Sequence, residues 1–261
     1  MTTYPLGYTD GEQARLIRQA QRLAPMTERC FLDAGIATGW RVLELGSGLG
    51  DVSLLLARLV GPSGEVVGIE RDASSIARAT ARLAEAGVRN VRFRHADVRA
   101  IAEAQRFDAV VGRYILQWMS DPLSVLKNVV TLVRSGGVVA FQETAWTAMR
   151  AYGRRLPLIN QVLDTIYETL SAQGVHMEMG FDLYRTFKDA GLPAPTMRLE
   201  MILGGDAAMA TALADLARSV APTATTLGDL DTLAERILGQ VQGAQTVMAL
   251  NTLVSAWAVR S

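Results

Sequence analysis

The chain has 261 residues, 49% of them hydrophobic and 20% charged, and 26 Lys and Arg balance 26 Asp and Glu. That composition fits one large or two small folded domains whose core needs no covalent staples, and it excludes a global field that would recruit nucleic acid or an anionic membrane. One cysteine, Cys30, excludes an intrachain disulfide, and with only His95 and His176 as imidazoles no metal site is expected. The first residues show no charged-then-apolar leader and no apolar run approaches bilayer-spanning length, so a cytoplasmic enzyme is the expectation.

Tyr4 and Tyr8, set among Pro5 and Gly7, form an arm that either folds over a ligand or anchors to the surface. Residues 10–24 carry helical periodicity, with Asp10 as N-cap and Leu16, Ile17, Ala20, Leu23 and Ala24 on one face. Pro25 is expected to divide this helix from a second at 27–34, stopped by Gly35. From Trp40 onward strands at 42–45, 65–70, 91–95, 107–112 and 138–143 alternate with helices at 51–60, 73–86 and 122–132 and a short helical piece near 100–104. Such alternation predicts a doubly wound, mostly parallel sheet with helices on both faces and a ligand crevice at the carboxyl ends of the strands.

After Glu143 the alternation pauses. Residues 144–175 read as helix, with Leu158, Val162, Ile166 and Leu170 at four-residue spacing, forming a lid over the crevice. Helix 181–190, strand 196–203, Ala- and Leu-rich helix 206–241 with a break at 222–226, and a final strand at 250–259 bring the strand total to seven.

The stretch Glu44-Leu-Gly-Ser-Gly-Leu-Gly50 joins the first strand to a helix through glycines at alternate positions. Glycine tolerates positive φ and has no Cβ to block a ligand. A dinucleotide fingerprint would need Gly or Ala where Asp51 stands, and a phosphate loop would need a lysine that is absent. A ligand with ribose but no phosphate fits better. Glu70, ending the second strand, is placed for two vicinal hydroxyls, or else pairs with Arg71 or Arg78 on the surface. Asp97, ending the third, either accepts from an adenine amino group, with Val98 on the base, or caps the next helix.

These segments, together with Phe107-Asp-Ala-Val-Val111 and Leu132-Val-Arg-Ser-Gly-Gly137, occur in the order typical of class I S-adenosylmethionine-dependent methyltransferases. The chain resembles their small-molecule branch, which includes ubiquinone/menaquinone-type and natural-product methyltransferases, over residues 38–143 and more loosely at Leu253-Val-Ser-Ala-Trp257. The resemblance implies a Rossmann-like fold and S-adenosylmethionine as cofactor, with S-adenosylhomocysteine as product. It implies that Glu44, Gly46, Ser47, Gly48 and Gly50 pass the methionine portion, that Glu70, with Arg71 beside it, holds the ribose, and that Asp97 and Val98 hold the adenine. Arg113 would contact the methionine carboxylate or its loop, and Gln117 and Trp118 would follow near the methyl. Leu49, followed by Gly50-Asp51, departs from the small polar residue many members carry.

Transfer of a sulfonium methyl is an in-line displacement that asks for positioning more than for catalytic side chains. Glu143, His176 and Tyr8 are the candidates for a general base where the acceptor must lose a proton. Tyr4, Tyr8, Trp118, Trp146, Met179 and Phe181, with Tyr152, Tyr167 and Met177, would line an apolar, aromatic acceptor site. The expected organisation is an arm and helices at 1–37, a cofactor-binding core at 38–143, a helical lid at 144–192 and C-terminal strands with a helical insertion at 193–261. A small-molecule acceptor in secondary metabolism is expected as partner, with neither nucleic acid nor membrane, and a homodimer is left open. A cofactor-binding scaffold that guides a different reaction is the alternative. A nicotinamide oxidoreductase is disfavoured by Asp51 and by the lack of a Tyr-x-x-x-Lys pair.

Overall fold

The computed structural model describes residues 6–7, 9–102, 105–153 and 155–261. Seven strands form one sheet in the order β3-β2-β1-β4-β5-β7-β6. Strands β1 (Arg41–Leu45), β2 (Glu65–Glu70), β3 (Val91–His95), β4 (Phe107–Arg113) and β5 (Val133–Glu143) pair in parallel, while β7 (Met248–Val259) runs antiparallel between β5 and β6 (Thr196–Gly204), which itself points the same way as β5. Val42, Leu43, Leu45, Val66, Val67, Ile69, Val110 and Val111 are fully buried, as expected for parallel strands covered on both faces. The chain winds outward from β1 to β2 and β3, then returns to place β4 on the other flank of β1. A crevice therefore opens where β1 and β4 lie side by side.

The first helix, α1 (Asp10–Asp33), is a single helix, not two: Pro25 lies inside it. Proline removes one helical hydrogen bond, but apolar packing on both sides of it holds the helix together. Leu23 and Met26 meet Leu253 of β7, while Cys30 and Phe31 pack among Val42, Leu55 and Leu56. The N-cap is Thr9 in place of Asp10, its hydroxyl accepting from Glu12 N at 3.2 Å. Helices α2 (Asp51–Val60), α3 (Ala73–Glu85) and α4 (Pro122–Leu132) follow β1, β2 and β4 as expected. The short helical piece falls earlier than expected, as a 3₁₀ turn at Val98–Ala100 capped by Asp97.

The helices beyond β5 divide into two groups. In one, α5 (Trp146–Gly153), α6 (Pro157–Ala172), α8 (Ala207–Val220), α9 (Leu233–Gly243) and the start of β7 share one apolar cluster. This cap thus joins segments that the sequence reading keeps apart, lid and C-terminal insertion. The other is α7 (Met179–Asp189), which leaves the cap and packs on the sheet, Phe187 meeting Phe141 edge to face with centroids 6.3 Å apart. Between α8 and α9 the non-helical stretch is longer than the expected 222–226, with a 3₁₀ turn at Thr225–Leu227. No described helix is long and apolar enough to cross a membrane.

Leu163 is fully buried in the cap. Leu163→Ala should cost about 2–5 kcal/mol of stability, read as a lowered urea midpoint, from lost transfer energy and the cavity left behind.

Candidate active site

The turn after β1 has three left-handed glycines, Gly46, Gly48 and Gly50, with φ of 66°, 50° and 80°. They serve different ends. A Cβ on Gly46 would stand 2.7 Å from Ile115 Cδ1, so the turn and the segment after β4 approach each other closely. A Cβ on Gly48 would meet nothing within 4 Å, and Gly48 lines the cavity. Gly50, between the cavity-lining Leu49 and Asp51, caps α2 and lies against Phe93 and Ala79. Arg82 pins the far side of the turn, donating to Leu49 O at 2.5 Å and Asp51 Oδ1 at 2.7 Å.

Glu70 draws in the near side. Its carboxylate accepts from the backbone N–H groups of Gly48 at 2.9 Å, Arg71 at 2.8 Å and Asp72 at 2.9 Å, and it lines the cavity with Arg71. Asp97 also lines the cavity, yet it caps the following 3₁₀ turn. It accepts from Arg99 N at 2.9 Å and from the Arg99 guanidinium, whose hydrogen bonds pull the carboxyl down to about 2. Val98, buried, completes that end.

Beneath the turn, Glu44 is buried and takes a hydrogen bond from the Ser53 hydroxyl; burial pushes its carboxyl up to about 8. Ser47 lines the cavity with a buried hydroxyl that has no partner. Arg113, at the end of β4, also lines the cavity and donates to Thr27 Oγ1 at 3.0 Å. Desolvation is the largest effect on its guanidinium and lowers its pKa.

Of the expected general bases, none has a described place on the cavity wall. Glu143 is fully buried, and its carboxylate accepts from the backbone N–H groups of Ile115 at 3.0 Å, Leu116 at 2.7 Å and Gln117 at 3.3 Å. It anchors the 3₁₀ turn Leu116–Trp118, and its assignment as a base is corrected to that positioning role. Burial pushes it up to about 8. His176 is half-buried off the cavity, its backbone N–H donating to Gln117 O at 2.9 Å. Tyr8, and Tyr4 with it, lie outside the described residues.

Among the expected acceptor-site residues, Trp118, Trp146 and Met177 line the cavity, and so does Gln117. Met179 does not: it is buried under the sheet with α7. Phe181 is 49% exposed on that helix, and Tyr152 and Tyr167 pack against the cap without reaching the cavity. In their place the cavity takes residues that the sequence reading does not single out, including Gln13, Arg15 and Leu16 of α1, Tyr114, Met149, and Asn251 and Thr252 of β7. The apolar periodicity of α1 was a signal for Leu16 but pointed equally to core packing. The cavity measures about 270 Å³ and runs from the carboxyl ends of β1–β4 to the space under the cap. The described residues contain no cluster of three or more His, Cys, Asp or Glu suited to a metal.

Residues 36–191, more than half of the chain, match the family model described as "Methyltransferase domain". The chain belongs to this family, that of the class I S-adenosylmethionine-dependent methyltransferases. A demethylmenaquinone methyltransferase of Lactococcus lactis is 33% identical over 125 residues, covering 48% of this chain and 50% of that protein. One from Staphylococcus aureus is 28% identical over 194 residues, 70% of this chain and 79% of that protein. The chain thus spans about half the length of the Lactococcus relative. The solved structure of a putative methyltransferase from Bacillus halodurans has the same fold, with a TM-score of 0.64 at 14% identity over 90% of this chain and 98% of that one.

The raised Glu44 carboxyl has a thermodynamic consequence. The folded state holds that proton more tightly than the unfolded chain does, so the associated stability is complete below the ordinary value of 4.5 and is lost as pH rises toward about 8. Glu44→Gln, neutral throughout, should therefore lose less stability than the wild type in urea unfolding between about pH 5 and pH 8. Parallel curves for the two proteins would show that Glu44 stays charged.

Proposed function

We propose that this chain transfers a methyl group from S-adenosylmethionine to a small acceptor with a hydrophobic or aromatic body, in secondary metabolism. The observation that carries this reading is one continuous cavity. A polar wall of Glu70, Asp97, Ser47 and Arg113 at the strand ends passes into an apolar space bounded by Trp118, Trp146, Met149, Leu170 and Met177. The residues present fit the cofactor: the open face at Gly48 leaves room for it, the unpartnered Ser47 hydroxyl offers a hydrogen bond, and Arg113 offers a cation to its carboxylate.

When bound, the cofactor supplies a methyl group already activated by its sulfonium. The residues of the chain orient and exclude water. Glu70, through its bond to Gly48 N–H, holds the turn against the end of β2 and keeps acceptor capacity for ribose hydroxyls. Glu143 holds the backbone of 115–117, which sets Gln117 and Trp118 at the border between the two ends of the cavity. Leu16, Leu23, Trp146, Met149 and Leu170 keep the acceptor end dry, and proximity in a water-poor site can account for most of the acceleration. With Glu143 committed to backbone and His176 away from the cavity, the reading needs no described side chain as base.

Incubation with methyl-labelled S-adenosylmethionine and a panel of phenols, naphthols, indoles and quinols should give a product one methyl heavier. Gly48→Trp, which fills the open face of the turn, should remove both transfer and S-adenosylhomocysteine binding. Cofactor binding without any methylated product across the panel would favour the scaffold alternative. Undiminished binding by Gly48→Trp would overturn the placement of the cofactor.

A further inference from the structure

Three described residues other than glycine adopt positive φ, and two of them, Tyr114 at 53° and Asn251 at 56°, line the same cavity. An aromatic residue in this region is unusual, and such conformations persist only where the surroundings enforce them. Tyr114 follows β4, and its N–H donates to Gln142 O at 2.8 Å, while the next three N–H groups are held by Glu143. Asn251 is held by a bulge. Glu200 pairs with Leu253 and Ile202 with Leu250, so that Asn251 and Thr252 together face the single residue Met201. Bulges of this two-against-one kind turn a side chain out of the ladder and are enriched beside active sites.

Tyr114 also reaches the bulge. The Tyr114 hydroxyl donates to Thr252 O at 3.4 Å, long for a hydroxyl donor and easily exchanged for a better acceptor. Burial raises the Tyr114 phenol above its ordinary range, so it stays a donor at neutral pH. The Asn251 carboxamide oxygen is buried with no hydrogen-bond partner, and the Thr252 hydroxyl beside it is likewise unpartnered. Unsatisfied buried acceptors next to a cavity are stabilised by any ligand that brings a donor. Apolar neighbours, Trp146, Met149, Leu216 and Leu250, line the same cavity.

Building on the methyltransferase reading above, we propose that Tyr114 and Asn251 form a hydroxyl-recognition site for the methyl acceptor, the Asn251 carboxamide accepting from a hydroxyl of the acceptor and the Tyr114 hydroxyl donating to it. The acceptor class is then a small apolar or aromatic molecule that carries a free hydroxyl on the face turned toward β7. The Asn251 carboxamide is carried by β7, beyond β5 from β1 and β2, and the Tyr114 hydroxyl reaches Thr252 of that same strand, so both groups bear on the acceptor end of the cavity.

The test uses the full chain loaded with S-adenosylhomocysteine, titrated calorimetrically with 1-naphthol and with 1-methoxynaphthalene, which lacks the donor. The wild type should prefer 1-naphthol by at least about tenfold, the worth of one to two good hydrogen bonds. Asn251→Gly removes the carboxamide while suiting the positive φ, and Tyr114→Phe removes only the hydroxyl. In each the preference should fall below about threefold, with S-adenosylhomocysteine affinity unchanged. A wild type without the preference, variants that keep it, or variants that lose cofactor affinity equally overturn the assignment. Failure of the wild type to bind S-adenosylhomocysteine would overturn the methyltransferase reading, and this assignment with it.

Discussion

The site depends on one carboxylate. Glu70 ends β2 and collects backbone N–H groups from Gly48, Arg71 and Asp72, which ties the glycine turn of β1 to the neighbouring strand end. A turn of left-handed glycines is entropically costly to order, and charge-assisted hydrogen bonds to backbone amides are among the stronger means of holding one. Arg82 grips Leu49 O and Asp51 from the other side, so the loop is held from both flanks by the protein's own groups.

Glu143 repeats the device at the end of β5, gathering the three amides that open the turn carrying Gln117 and Trp118. Glu44, under the first turn, is buried against Ser53. Acids at or next to the carboxyl ends of β1, β2 and β5 thus act mainly on the protein's own backbone and hydroxyls, and through these on the cavity. The cap then closes the other wall. Its helices come from both sides of α7 and β6 in sequence, so the acceptor end exists only when α5, α6, α8 and α9 are packed together.

The alternation of strands and helices through residue 143 was legible because each element carries a simple period and each turn a glycine or a capping residue. Strand ends were legible too, since Glu70 and Asp97 stand where parallel strands deliver ligands. Three things were not. Pro25 reads as a helix break in any local rule, and only the burial of Leu23, Met26, Cys30 and Phe31 on one continuous face overrides it. Met179 and Phe181 fall within the expected lid at 144–192 but belong to a helix that turns back to the sheet, a choice made by the packing of Phe187 on Phe141. Tyr114 owes its place to a positive φ at the end of β4, beside Gln142 of β5, and Asn251 to a bulge in the pairing of β6 and β7; neither leaves a mark in the local sequence.

Calorimetric titration with S-adenosylhomocysteine and with 5′-methylthioadenosine, which lacks the amino-acid group, decides whether the carboxyl edge of β1–β4 is a cofactor site whose methionine end faces Arg113. If it is, the wild type binds S-adenosylhomocysteine far more tightly, and Arg113→Met binds the two nearly alike. The same preference in the wild type and in Arg113→Met would rule that placement out.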